Sequence, residues 1–226
     1  MKKVIYLWIL LIILFGNYLI AQTGVRFGFR GGYSMSTQYG ITPKDNPYRV
    51  NSFYRHGLGG GLLIYYPLTE SFGLQQEFLY TNKGSIQDIT LLGQPVTTHV
   101  EYDINYFEIP IIFRYNFLKI GNFNFFGTSG FAMAILIHGE YRIDGNVKIG
   151  NDKLTFKEEG EIEGVDTFDY SFIYGSGVDF PLFDKDCFFE YRFTIGWNTI
   201  LMPTFEGEEP APLRNQDYLF TLGMYF

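Results

Sequence analysis

Two glutamates, Glu77 and Glu108, and three histidines, His56, His99 and His138, are the residues of this chain best suited to acid–base work. Paired carboxylates can divide the roles of general acid and base, and histidine titrates near neutrality and ligates metals. The glutamates, however, belong to a larger set. Arg26, Arg30, Lys83, Arg114 and Arg192 stand against Glu77, Glu108, Asp179, Glu190 and Asp217, all on the polar parity of alternating stretches. Five charges of each sign on one kind of face point to mutual pairing, because a balanced network satisfies itself where a lone buried carboxylate is costly. The histidines are scattered near the ends of their stretches, and no Ser–His spacing marks a nucleophile. The acidic run Lys157-Glu158-Glu159-Gly160-Glu161-Ile162-Glu163-Gly164, joined further on by Glu206, Glu208 and Glu209, lacks calcium-loop spacing. It reads as a solvated surface able to dock a protein partner. Gly57, Gly59, Gly60 and Gly61 precede no helix signal, so they suit a strand bend or a close backbone approach rather than a nucleotide loop. The expectation is no catalytic residue, no metal and no cofactor.

The frame that must hold these charges follows from composition and period. The chain has 226 residues, 46% hydrophobic and 19% aromatic, which suits one domain with a greasy sheet surface. A single cysteine, Cys187, excludes an intrachain disulfide, and a net charge of −7 argues against nucleic acid. Residues 1–21 carry Lys2 and Lys3, an apolar run from Val4 to Phe15, a polar break at Gly16-Asn17 and a small Ala21. This is the pattern of a secretory signal peptide, with 22–226 as the mature domain. An uncleaved membrane helix is the rival reading, since Val4–Ile20 is nearly long enough to span. Losing Lys2 and Lys3 from the 17 basic residues, against 24 acidic ones, takes the charge to about −9.

From Val25 onward the period is 2. Val25, Phe27, Phe29, Gly31, Tyr33 and Met35 share one face, and Arg26, Gly28, Arg30, Gly32 and Ser34 the other. The pattern returns in 58–66, 72–81, 106–116, 123–137, 170–180, 189–198 and 218–226. Each of these eight segments suits a tilted bilayer crossing. The parity of the fifth is open, because Phe125 and Phe126 are adjacent. Connections alternate between short (67–71, 118–122, 181–186) and long (37–55, 84–101, 138–168, 199–216). A weak alternation in 141–149 and 153–156 could extend the fifth and sixth strands as a hairpin. Short periplasmic turns and long extracellular loops are the outer-membrane arrangement, with both termini in the periplasm.

Charge placement sharpens this reading. The apolar parity of the well-phased segments carries no charge, as a lipid-facing surface requires, since a cation at mid-bilayer costs about 2–4 kcal/mol. Tyr80, Trp197, Tyr225 and Phe226 lie near segment ends, where an interfacial aromatic girdle belongs. The chain also stops on Tyr218, Phe220, Leu222, Met224 and Phe226, an aromatic last strand like the C-terminal barrel signal. The expected fold is all-β: a closed, antiparallel, eight-stranded transmembrane β-barrel in the cell outer membrane, its ten inward charges filling the lumen. Its expected surroundings are outer-membrane lipid, the barrel assembly machinery during insertion, and a protein partner at the acidic extracellular loops.

The segments resemble the PorT-type outer-membrane β-barrel family of Bacteroidetes. The resemblance is carried by Leu74-Gln75-Gln76-Glu77-Phe78-Leu79-Tyr80-Thr81-Asn82-Lys83-Gly84 and Tyr106-Phe107-Glu108-Ile109-Pro110-Ile111-Ile112-Phe113-Arg114-Tyr115. Gly175-Ser176-Gly177-Val178-Asp179 and Glu190-Tyr191-Arg192-Phe193-Thr194-Ile195-Gly196-Trp197-Asn198 complete it. It implies an outer-membrane protein of a Gram-negative bacterium; the namesake is associated with protein secretion, and most relatives have no assigned role. The expected function is structural or surface-interactive, as part of a larger outer-membrane or secretion assembly, and not enzymatic. The alternatives are a narrow pore for small solutes or ions, and a rim-located lipid-modifying enzyme.

Overall fold

Alternation over a dozen or more residues can bury one face of a strand only if the sheet curls on itself or meets a second layer. Here it curls. The computed structural model describes residues 24–40, 48–91, 93, 96–149, 152–162, 167–197, 200–201 and 212–226. The expected signal peptide, residues 1–21, and the acidic residues Glu206, Glu208 and Glu209 lie outside the described residues. Among the described residues the strands are β1 (Arg26–Gly40), β2 (Tyr48–Phe53), β3 (Arg55–Pro67), β4 (Phe72–Leu91), β5 (Val96–Ile120) and β6 (Phe123–Ile149). They continue as β7 (Asp152–Glu161), β8 (Phe168–Leu182), β9 (Lys185–Gly196), β10 (Ile200–Leu201) and β11 (Pro212–Tyr225). Neighbours pair antiparallel in the order β1-β3-β4-β5-β6-β8-β9-β11, and β11 returns to pair with β1 from Gly28↔Tyr225 to Gly40↔Leu213. The sheet is a closed eight-stranded ring. Closure leaves no membrane strand with an unpaired edge in lipid.

At one end the connections are tight. Gly121, at φ +60°, opens the two-residue link between the Ile120↔Phe123 pair. Phe183 and Asp184, both at positive φ, make the link between β8 and β9, the double left-handed geometry of a two-residue hairpin. Between β3 and β4 the Thr69 hydroxyl accepts from the amides of Ser71 and Phe72. At the other end the strands outrun the eight sequence segments. The expected loops 84–101 and 138–168 are largely strand: β4 and β5 stay paired to Thr90↔Thr97, and β6 folds back on β7. With β2 on β4, they raise a five-stranded sheet above the barrel. The weakly alternating 141–149 and 153–156 are the β6–β7 hairpin, whereas polar alternation hid the 84–101 part, whose inward positions Ser85 and Gln87 are buried yet hydrophilic.

Two bulges settle the facing of β6. The pairing slips between Asn116 and Leu118 on β5, and again where Asn105 and Tyr106 oppose His138 and Leu136. Between the slips Phe126, Thr128, Gly130, Ala132 and Ala134 are buried, while Phe131 is exposed to the outside. Phe126 points in and Phe125 does not, so adjacent phenylalanines serve opposite faces. Gly61 shows why glycines crowd β3: a Cβ there would stand 2.0 Å from the Phe78 carbonyl oxygen.

Candidate functional site

The lumen is filled in layers. Nearest the tight turns lies an aromatic floor of Leu63, Tyr65, Phe126, Phe188 and Tyr225, all buried. Arg114 sits in this floor with its guanidinium 3.5 Å from the Phe126 ring centroid, donating to Tyr225 at 3.0 Å and pairing with Asp179. A cation over an aromatic face is favoured most where water is excluded. Tyr225, expected near the outer girdle, instead points inward and donates to Gln75. Arg26 lies at the turn-end rim rather than in the interior layers. Its side chain is partly exposed, paired with Asp186 at 3.2 Å and stacked over Tyr65 and Tyr225.

Above the floor is a quartet. Arg30 of β1 bridges Glu77 of β4 and Glu190 of β9 at 2.8 and 2.7 Å. Arg192 of β9 holds the same two carboxylates at 2.7 and 2.9 Å, and all four side chains are at most 2% exposed. Gln75 and Thr128 donate to the remaining carboxylate lone pairs, and Arg30 donates to Thr221. Two charges of each sign, joined by four ion pairs, make a charge-balanced cross-brace in which the Arg30 Nε is left without a hydrogen-bond partner.

The third layer, toward the loop end, is acid-rich. Lys83 pairs with Glu108 and is attracted by Asp217 and Asp169. Asn215 donates to Asp169 at 3.0 Å, and Gln38 and Ser85 pair beside it. Asp169 was missed in the sequence because the sixth segment starts at Tyr170. Its parity with the inward Ser171 and Ile173 is the signal that would have found it. Val100, Tyr102, Ile104, Tyr106, Ala134 and Ile162 form a buried apolar cluster on β5, β6 and just past the end of β7. Glu77 and Glu108 therefore lie in different layers with different cations, Arg30 and Arg192 for one and Lys83 for the other.

The histidines do not converge. His56 meets Tyr33, His99 meets Asp88 at 2.8 Å and His138 meets Glu140 at 2.8 Å. At the loop end, His138 Nε2 donates to the Glu140 carboxylate, which raises the imidazole above its ordinary value. Among the described residues no group of three or more His, Cys, Asp or Glu side chains is placed to hold a metal ion. At the rim Arg55 crosses from β3 to Asn82, Glu101 and Asp103. Of the C-terminal residues Tyr218, Phe220, Leu222, Met224 and Phe226, the first four share the outer face of β11, paired with β9 and β1, and Phe226 donates its amide to the Phe27 carbonyl.

Removing one partner of a pair tests the layers. Arg114→Ala is expected to lower stability by on the order of 2 kcal/mol, the worth of charge-assisted hydrogen bonds to Asp179 and Tyr225. Lys157→Ala, on the exposed β7, should leave the urea midpoint unchanged. Equal midpoints for the two variants would contradict the inward placement.

The same architecture is seen elsewhere. The outer membrane protein OprG from Pseudomonas aeruginosa is similar over 90% of this chain and 97% of its own, at 14% identity and a TM-score of 0.50. Neisserial surface protein A covers 90% of this chain and 99% of its own, at 9% identity and 0.45. Ail of Yersinia pestis covers 89% and 98%, at 13% identity and 0.40. At these identities the likeness to OprG is one of fold. No curated protein matches the sequence. The model of the outer membrane protein beta-barrel domain matches residues 20–201, and the chain belongs to that family.

Proposed function

We propose that this protein is a sealed outer-membrane barrel that works through its surfaces, as a structural or docking component of a larger outer-membrane or secretion assembly. The observation that carries this reading is the quartet Arg30, Glu77, Glu190 and Arg192. It ties β1, β4 and β9 across the lumen with side chains almost wholly inaccessible. A solute or ion would have to break those pairs and pass the aromatic floor, which argues for a plug and against a pore. Catalysis finds little to work with: Glu77 and Glu190 are each locked by two arginines, Glu108 lies in another layer on Lys83, and the three histidines do not converge.

The raised sheet is the natural docking surface. Its outermost strand β7 is paired only with β6 among the described residues, and carries exposed Leu154, Phe156, Glu158 and Glu159. An open edge with acidic side chains suits a basic protein partner that adds a strand. In this reading residues 1–21 direct export, the barrel assembly machinery inserts the chain, and the short turns and both termini face the periplasm. The PorT-type resemblance, with its Bacteroidetes setting, is consistent with such an assembly role.

The test is an unboiled-versus-boiled gel shift on refolded mature protein, followed by planar-bilayer conductance on the same sample. A shifted band with a silent bilayer is the expected result. Steady conductance would overturn the plug.

A further inference from the structure

One sector of the outer wall differs from the hydrocarbon surface around it. On β1, β3, β9 and β11, toward the loop end, tyrosines touch one another across strands. Tyr54 packs edge-on against Tyr218 at 5.8 Å between ring centroids, with their hydroxyls paired. Tyr218 stacks on Tyr191 at 6.2 Å and accepts a hydrogen bond from Gln216 at 3.0 Å. Tyr33 stacks on His56 and is hydrogen-bonded to its Nδ1. On the same face Arg214 is exposed and paired in register with Tyr39.

Two features make this more than an aromatic belt. First, the polar groups are of one electrical kind. None of the described outward-facing residues of these four strands is acidic, whereas Glu101 and Asp103 on β5, two strands from β3, are already held by Arg55. Second, the sector keeps nitrogen donors to spare on the exposed side chains of His56 and Arg214. When the Tyr33 hydroxyl donates to His56 Nδ1, the His56 proton sits on Nε2, and that nitrogen of the exposed ring remains as a donor. The Arg214 guanidinium offers a fork that matches phosphate.

We propose that this sector binds the phosphorylated sugar headgroup of an outer-leaflet glycolipid. Arg214 and His56 meet phosphate, and the hydroxyls and ring faces of Tyr33, Tyr54, Tyr191 and Tyr218 meet the sugar. Four adjacent strands span about 14 Å, wider than one phosphodiester needs and suited to a phosphorylated disaccharide. Tyrosine serves here because its ring stays in the apolar zone while its hydroxyl reaches the headgroups. The leaflet assignment rests on the reading that the loop end faces outside the cell.

The experiment is native mass spectrometry of the mature protein released from micelles containing equal amounts of lipid A and phosphatidylglycerol. Lipid A should be retained about tenfold over phosphatidylglycerol, and Arg214→Gln combined with His56→Gln should lower lipid A retention about tenfold, the scale of one or two charge-assisted hydrogen bonds. Arg142→Gln, a rim arginine outside the sector, should leave it unchanged. Equal retention of the two lipids, or no effect of the double variant, would overturn the proposal. Orientation is read separately by treating intact cells with a membrane-impermeant amine reagent. Labelling of Lys157 at the loop end places the sector in the outer leaflet. Labelling confined to the turn-end Lys119 and Lys185 would overturn the leaflet assignment even where lipid A selectivity persists.

Discussion

Glu77→Ala is expected to cost about 3–5 kcal/mol of stability, the largest effect of any single change in the lumen. The substitution leaves Arg30 and Arg192 sharing Glu190 alone, with one guanidinium charge uncompensated where side-chain exposure is at most 2%. A stranded carboxylate can take up a proton and become neutral; a stranded guanidinium has no such escape. Gln75 loses its acceptor at the same time. The readout is the urea midpoint of the folded band on an unboiled gel in lipid vesicles. Glu77→Leu combined with Arg192→Met should recover most of the loss, because Arg30 and Glu190 then remain as a balanced pair. A Glu77→Ala midpoint equal to wild type would remove the cross-brace as a source of stability.

Leu222→Arg is expected to cost about 2–4 kcal/mol although Leu222 is 61% exposed. On the surface of a water-soluble sheet the same change would fall within about 0.5 kcal/mol. The residue faces outward, opposite Gly31 on β1 and Phe189 on β9. Three pairs in from the turn-end pair Gly28↔Tyr225, at strand rise and barrel tilt, it lies roughly 8 Å along the barrel from that rim. Phe183→Arg is the matched control, a still more exposed apolar residue placed in the β8–β9 turn beyond the membrane, and it should change little. A small effect at both sites would mean that the apolar face meets water, and the inside and outside of the barrel would have to be exchanged.

The chain by itself determined the two-faced strands, their number in the ring and the sorting of short and long connections. Alternation is a local property, repeated within each strand, and turn chemistry such as Gly121-Asn122 is local too. It also placed Arg30, Glu77, Glu190 and Arg192 on the polar parity. Only the tertiary structure decided how they pair, because Arg192 meets Glu77 from 115 residues away and across the ring, where strand register and barrel tilt set the distance. Bulges at Phe117 and Ile137 reset the facing of β5 and β6, and no local pattern announces a slip of one residue. The same non-local fit turned Tyr225 inward onto Arg114, drew Asp169 beside Lys83 and set Arg26 out at the rim. Faces are written along each strand, whereas partners are chosen between strands, once the ring has closed.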